Sequence, residues 1–237
     1  YVVVDKEPEN ILKINKEDSK EINGQKLILN GMARDYFQRQ NLTKGINEAL
    51  DDDLILISDL DEIPNFESFN NFEIKDNILI FEQKTFFYKL NLFYNDFVWF
   101  GTKGIKKKNL ISPQWLRNIK ATNYPKWRLD TYFSNKKYNN IKFIENGGWH
   151  FTCIKSPEEV HKKLLSYLHH QDYEKSNVSF DDLKNKMLNK EALYDHKKDK
   201  KNNNKWFNNE KLIKINHSEL PAYLINQNKK YQDWFEK

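Results

Sequence analysis

The chain has 237 residues, one cysteine and a formal net charge of +5, from 39 Lys+Arg against 34 Asp+Glu. That length suits one large α/β domain with a core that needs no disulfide, and Cys153 alone cannot form an intrachain one. The 16 Phe, 12 Tyr and 6 Trp exclude a disordered chain, and no apolar run approaches the length of a membrane span.

The mild basic excess suits an anionic ligand such as a sugar diphosphate, or peripheral contact with an anionic membrane; it equally describes solvated surface lysine. The basic residues are spread along the chain rather than striped on one helix, so nucleic acid is not an expected partner. No signal-peptide pattern opens the sequence, so residues 1–237 read as soluble, and a cytoplasmic or otherwise soluble location is the expectation. No phosphate-binding P-loop, dinucleotide glycine fingerprint or HExxH zinc helix is present.

In chain order, Tyr1-Val2-Val3-Val4-Asp5 reads as a buried strand and residues 6–30 as a polar loop. From Ala33 to Leu50 the pattern is helical, with Leu42, Ile46, Ala49 and Leu50 on one face. Arg39 falls on that apolar face and demands an anionic partner or an exposed helix end. After the turn Asp51-Asp52-Asp53, Leu54-Ile55-Leu56-Ile57 predicts a central strand covered on both faces, as in a parallel sheet. Residues 78–82, 85–90, 97–100 and 141–144 read as strands, Gly147-Gly148 as a turn, and Trp149–Cys153 as extended. Ser156-Pro157-Glu158-Glu159 is a capping box that opens a helix to about His170, with Val160, Leu164 and Leu168 as its apolar stripe. Residues 195–205 form a charged loop, and a last helix carries Tyr223, Leu224, Tyr231 and Trp234. The alternation predicts an α/β fold with a mostly parallel sheet flanked by helices.

The chemistry concentrates at Ser58-Asp59-Leu60-Asp61-Glu62-Ile63-Pro64, where three carboxylates fall within four residues directly after a strand. Ligands of open α/β sheets bind beyond the carboxyl ends of strands. In extended chain Asp59 and Asp61 project the same way, as hard oxygen ligands for Mg²⁺ or Mn²⁺ that leave positions open for phosphate. The bland alternative is an acidic turn. A second constellation is Gly147-Gly148-Trp149-His150: the glycines permit close backbone approach to a ligand, Trp149 offers a flat face for a sugar, and His150 either completes a metal shell, contacts phosphate or is a hydrogen-bonded core histidine. Arg34 and Arg39 are placed to reach phosphates, and Lys162, Ser166 and His169 share a helix face able to bind phosphate or an acceptor hydroxyl. Cys153 has no evident catalytic setting.

Arg34-Asp35-Tyr36-Phe37-Gln38-Arg39, Ser58–Pro64, Gly147–Phe151 and Lys163–His169, taken in this order, resemble the family 17 glycosyltransferases, the family of β-1,4-mannosyl-glycoprotein 4-β-N-acetylglucosaminyltransferase. The resemblance extends over nearly the whole chain, including Leu220-Pro221. It implies a GT-A fold over residues 1–237, a UDP-sugar donor (UDP-N-acetylglucosamine), a glycan acceptor, a divalent metal and inversion at the anomeric carbon. It implies Asp59 and Asp61 as the metal and diphosphate site, Glu62 as a site carboxylate, and Trp149 and His150 as pocket residues, with Arg34, Arg39, Lys163 and His169 in the matched segments as donor contacts. Glu62, Glu145 and His150 are the candidate bases for the acceptor proton. Family members usually carry an upstream strand and helix, and this chain opens at what reads as the next strand. A metal-dependent nucleotidyltransferase, a nucleotide-sugar hydrolase and an inactive glycan-binding domain remain alternatives.

Overall fold

The computed structural model describes residues 2–69, 77–166, 170–195, 203–207 and 209–237. They form an α/β structure around an open mixed sheet. Helix α1 (Lys20–Asn41) is followed by a 3-10 segment (Leu42–Ile46), then β1 (Leu54–Ile57), β2 (Glu62–Pro64), β3 (Ile78–Phe87) and β4 (Leu92–Lys106). Next come α2 (Pro113–Asn118), β5 (Ile141–Thr152), α3 (Pro157–Ser166), α4 (His170–Glu174), α5 (Phe180–Leu188), β6 (Ile213–Lys214) and α6 (Ala222–Asn226). Among the described residues no helix is long and apolar enough to cross a membrane.

The sheet runs β1-β4-β3-β5-β2, with β6 also on β4. Only β3 and β5 are parallel; the other pairs are antiparallel, which corrects the expectation of a mostly parallel sheet. The misreading came from β1. Its continuous apolar run suggested a central strand, yet it ends the order and pairs with β4 alone. Both its faces are nevertheless covered. Ile55 and Ile57 pack with Ile78, Ile80, Ile105, Leu116 and Ile119, whereas Leu54 and Leu56 lie against Leu79, Phe81 and Ile144.

Further expectations are revised. Residues 2–5 form no strand, and Val3 and Val4 are exposed. Helix α1 begins near residue 20 rather than 33, started by Ser19, whose hydroxyl accepts from the Ile22 amide. Its hydrophobic residues Ile22, Leu27, Leu29 and Met32 are exposed, so no apolar stripe announces it. The reading of 78–82 and 85–90 as separate strands gives way to one long β3, with irregular pairing near Phe81 and Lys84. The predicted strand at 97–100 is the middle of β4. The capping box at Ser156 is present: its hydroxyl accepts from the Glu159 amide (3.3 Å), and Glu159 accepts in return from the Ser156 amide (3.2 Å). Val160 and Leu164 are buried as expected, whereas Leu168, His169 and the loop residues 196–202 lie outside the described residues.

In β5, Phe81 pairs with Ile144 and Gln83 with Gly148, so extra residues bulge out between them. Gly147-Gly148 belongs to this bulged strand. A Cβ on Gly148 would lie 2.0 Å from the Ile63 carbonyl oxygen, and one on Gly147 would lie 2.6 Å from the Ile144 carbonyl oxygen. These glycines therefore admit backbone to backbone, rather than backbone to a ligand. Gly148 also has φ +134°, which L side chains rarely adopt. Gly148→Ala is expected to lower stability by at least about 1–3 kcal/mol from conformation alone. Urea unfolding read by tryptophan fluorescence checks this, and an unchanged midpoint contradicts the close packing of β2 on β5.

Candidate functional site

The two motifs separated in sequence meet in the sheet. Strand β2 pairs antiparallel with β5, with Glu62 opposite His150, Ile63 opposite Trp149 and Pro64 opposite Gly148. The Phe151 amide donates to the Asp61 carbonyl (2.9 Å), extending the pairing into the acidic turn. That turn is closed by the Glu62 amide donating to the Asp59 carbonyl (3.0 Å). Asp59 and Asp61 thus sit in a turn and not in extended chain, and the alternation that would point them together does not apply.

Their carboxylates have different partners. Asp59 accepts from Arg117 (Nη2–Oδ2, 2.7 Å) and from Arg39 (Nη2–Oδ1, 3.3 Å). Arg39, the cation expected to need an anion, finds it here, and it also donates to Gln114 (3.2 Å). Asp61 instead faces His150, with Oδ2 3.7 Å from Nε2. Burial pushes the Asp61 carboxyl up, but His150 and the Lys163 ammonium outweigh it and hold its pKa below the ordinary value.

Glu62 is the floor of the site. Its side chain is fully buried and accepts from Arg117 through both oxygens (2.8 and 2.9 Å), from Trp99 Nε1 (2.8 Å) and from the Asp59 amide (3.0 Å). With its oxygens occupied and out of solvent, Glu62 anchors the turn and does not face a substrate. Arg117 also donates to the Gly101 carbonyl (2.6 Å). Burial works against the Arg117 charge, but Glu62 and Asp59 prevail and raise its pKa. Trp99 in turn stacks on His150, with ring centroids 4.3 Å apart and planes 16° from parallel. His150 is 6% exposed, and its Nδ1 is buried without a hydrogen-bond partner.

Lys103 of β4 braces this arrangement from behind, donating to the Arg117 carbonyl (2.7 Å) and to the Ile119 carbonyl at the end of α2. Burial, then the Arg117 charge, lowers its pKa from 10.5 to about 8, against the pull of Glu62 and Asp59. Because the folded value lies below the unfolded one, the unfolded chain binds more protons between pH 8 and 10.5, and stability attributable to Lys103 rises with pH across that window. Urea unfolding at pH 7.5 and 9.5 is expected to show that rise in the parent and a flatter dependence in Lys103→Met. Equal slopes contradict a buried, titrating Lys103.

The remaining predicted residues are scattered. Lys163 is half-buried on α3 and acts on Asp61 through its charge. Arg34 points from a different face of α1 and pairs with Glu7 (2.9 Å). Trp149 turns to the opposite face of β5 from His150, donates to the Glu219 carbonyl (2.7 Å) and packs near Phe86 and Leu220. Lys162 and Ser166 are exposed, Glu145 lies in the exposed bulge, and His169 lies outside the described residues. Sequence reasoning missed Arg117, Trp99 and Lys103, which no local motif marks.

Among the described residues, no three His, Cys, Asp or Glu side chains gather as a ready metal site. Asp61 and His150 fit a divalent ion as a pair of donors facing each other; Asp59, with a guanidinium on each oxygen, fits an arginine anchor better than a ligand. Beside Asp61 opens a hollow of about 590 Å³ walled by Leu60, Phe151, Tyr223, Tyr231 and Trp234. Compared with known proteins, the chain matches no family model, no curated protein and no solved structure.

Proposed function

We propose that the chain is a metal-dependent glycosyltransferase of the GT-A type that transfers a sugar, N-acetylglucosamine by the family resemblance, from a UDP-sugar to a glycan hydroxyl. The observation that supports this reading is the pairing of β2 with β5. It brings the two most distinctive motifs of the resemblance together, with Asp61 facing His150 at the rim of a hollow.

In this reading Asp61 and His150 hold Mn²⁺ or Mg²⁺, which would neutralise the diphosphate and improve it as a leaving group. Arg39, a quarter exposed and already aligned on Asp59, offers a cation to the same diphosphate, and Lys163 adds a second from α3. Arg117 and Glu62 keep the turn rigid, so that Asp61 is presented at a fixed position. Trp99 holds the His150 ring in plane and keeps it aimed at Asp61.

Calorimetric titration of UDP and of UDP-N-acetylglucosamine, first with Mn²⁺ and then with EDTA, tests the proposal. Metal-dependent binding is expected, and no binding under either condition overturns it. Product analysis with a glycan acceptor separates the alternatives sharing this site: a new glycosidic bond marks a transferase, free sugar a hydrolase, and a new phosphodiester or diphosphate a nucleotidyltransferase.

A further inference from the structure

The hollow beside Asp61 is apolar and open; Leu224 and the partly buried Phe151 and Tyr231 back it with a small core, and other walls stand exposed. Leu60 is 104% exposed, Tyr223 58% and Trp234 40%. Large side chains held this open beside a charged carboxylate mark a binding surface rather than packing. The wall is also fixed in place. Leu224 and Phe235, chain neighbours of Tyr223 and Trp234, are buried with Phe86 and Leu220. The Trp234 carbonyl accepts from the Leu90 amide (2.9 Å), and the Trp234 amide donates to the Tyr231 carbonyl (2.9 Å). Lys230 lies over the Tyr231 ring, 5.2 Å from its centroid.

The chemistry of the walls selects a ligand class. Flat rings take the C–H faces of a pyranose, while hydroxyls and a carboxylate take its hydroxyl groups. Here the Tyr223 and Tyr231 hydroxyls lie 3.5 Å apart on one wall, and Asp61 is among the residues that line the hollow. A lipid chain has no use for the paired tyrosine hydroxyls. We propose that this hollow is a carbohydrate subsite, in which Tyr223, Tyr231 and Trp234 hold the acceptor sugar beside Asp61. Its role as the acceptor side rests on the transferase reading, whereas carbohydrate binding itself can be measured separately.

The test uses the full chain with N,N′-diacetylchitobiose and mannobiose as probes, followed by saturation-transfer NMR and tryptophan fluorescence. At least one disaccharide is expected to receive saturation on its ring protons. Trp234→Ala and Tyr223→Ala are each expected to weaken that binding by about tenfold, the scale of a lost aromatic contact. Tyr223→Phe, which keeps the ring, should lose less. In these variants UDP affinity with Mn²⁺ should stay within about twofold of the parent. Disaccharide binding that persists unchanged in alanine variants melting like the parent overturns the subsite, as does binding of neither probe. Disaccharide binding lost in Trp234→Ala, in a chain that does not bind UDP, keeps the subsite and removes the transferase reading.

Discussion

Replacement of Arg117 by alanine is expected to lower the unfolding free energy by about 3–5 kcal/mol, the cost of stripping one partner from a buried ion pair. Arg117 is 11% exposed and the Glu62 side chain 0%. With the guanidinium gone, Glu62 keeps, among the described residues, the Trp99 indole and the Asp59 amide as donors and no counterion at contact. The Gly101 carbonyl loses its Arg117 donor as well. Against a typical domain stability of about 5–15 kcal/mol, this is a large share. Replacing both partners, Arg117→Met with Glu62→Leu, removes the charge as well as its partner and should recover much of the loss. Urea unfolding of the two singles and the double gives the coupling directly. If the losses simply add, Arg117 and Glu62 are not locked together, and the rigid floor of the site is wrong.

This anchor shows why part of the site escaped the sequence. Asp59, Asp61, Glu62 and His150 carry chemistry in types and spacings that stand out locally, and the turn after β1 was legible from Leu54–Ile57 running into carboxylates. Arg117 lies 55 residues from Glu62 and belongs to a six-residue helix with no motif; only folding brings them together. The same holds for the sheet. The apolar content of β1 reports coverage on two faces, which a two-layer packing supplies at a sheet edge as well as in its middle, so hydrophobicity alone could not give strand direction. The extra residues lie in β4 and β5, where they pair with β3. Strand β3 itself is unbroken, and the polar Gln83-Lys84 at its middle makes one long strand read as two short ones. Arg39 shows the opposite case. The expected apolar stripe is not a helix face, since Leu42 opens a 3-10 segment and Leu42 and Leu50 are exposed, yet the anionic partner expected for Arg39 is present as Asp59.

Asp61→Asn is expected to abolish metal-dependent UDP binding and to reduce sugar transfer by at least about 100-fold, the upper end of what even outer-shell partners of a metal contribute. The substitution keeps shape and removes charge. Because the Asp61 side chain is 40% exposed and, among the described residues, no lysine or arginine pairs with it at contact distance, the folded structure should persist. Asp59→Asn makes the contrast. It weakens contacts with Arg39 and Arg117, so it should lower stability, and it leaves the Asp61–His150 pair in place. Metal-dependent UDP binding should therefore survive in Asp59→Asn, diminished through a less firmly held Arg39, while it disappears in Asp61→Asn. Calorimetry with Mn²⁺, alongside thermal melting of both variants, separates the two effects. A larger binding loss in Asp59→Asn would shift the metal to Asp59, in agreement with the simple reading of two aligned carboxylates and against the turn geometry. Full transfer activity in Asp61→Asn would remove this carboxylate, and with it the proposed chemistry, from the site.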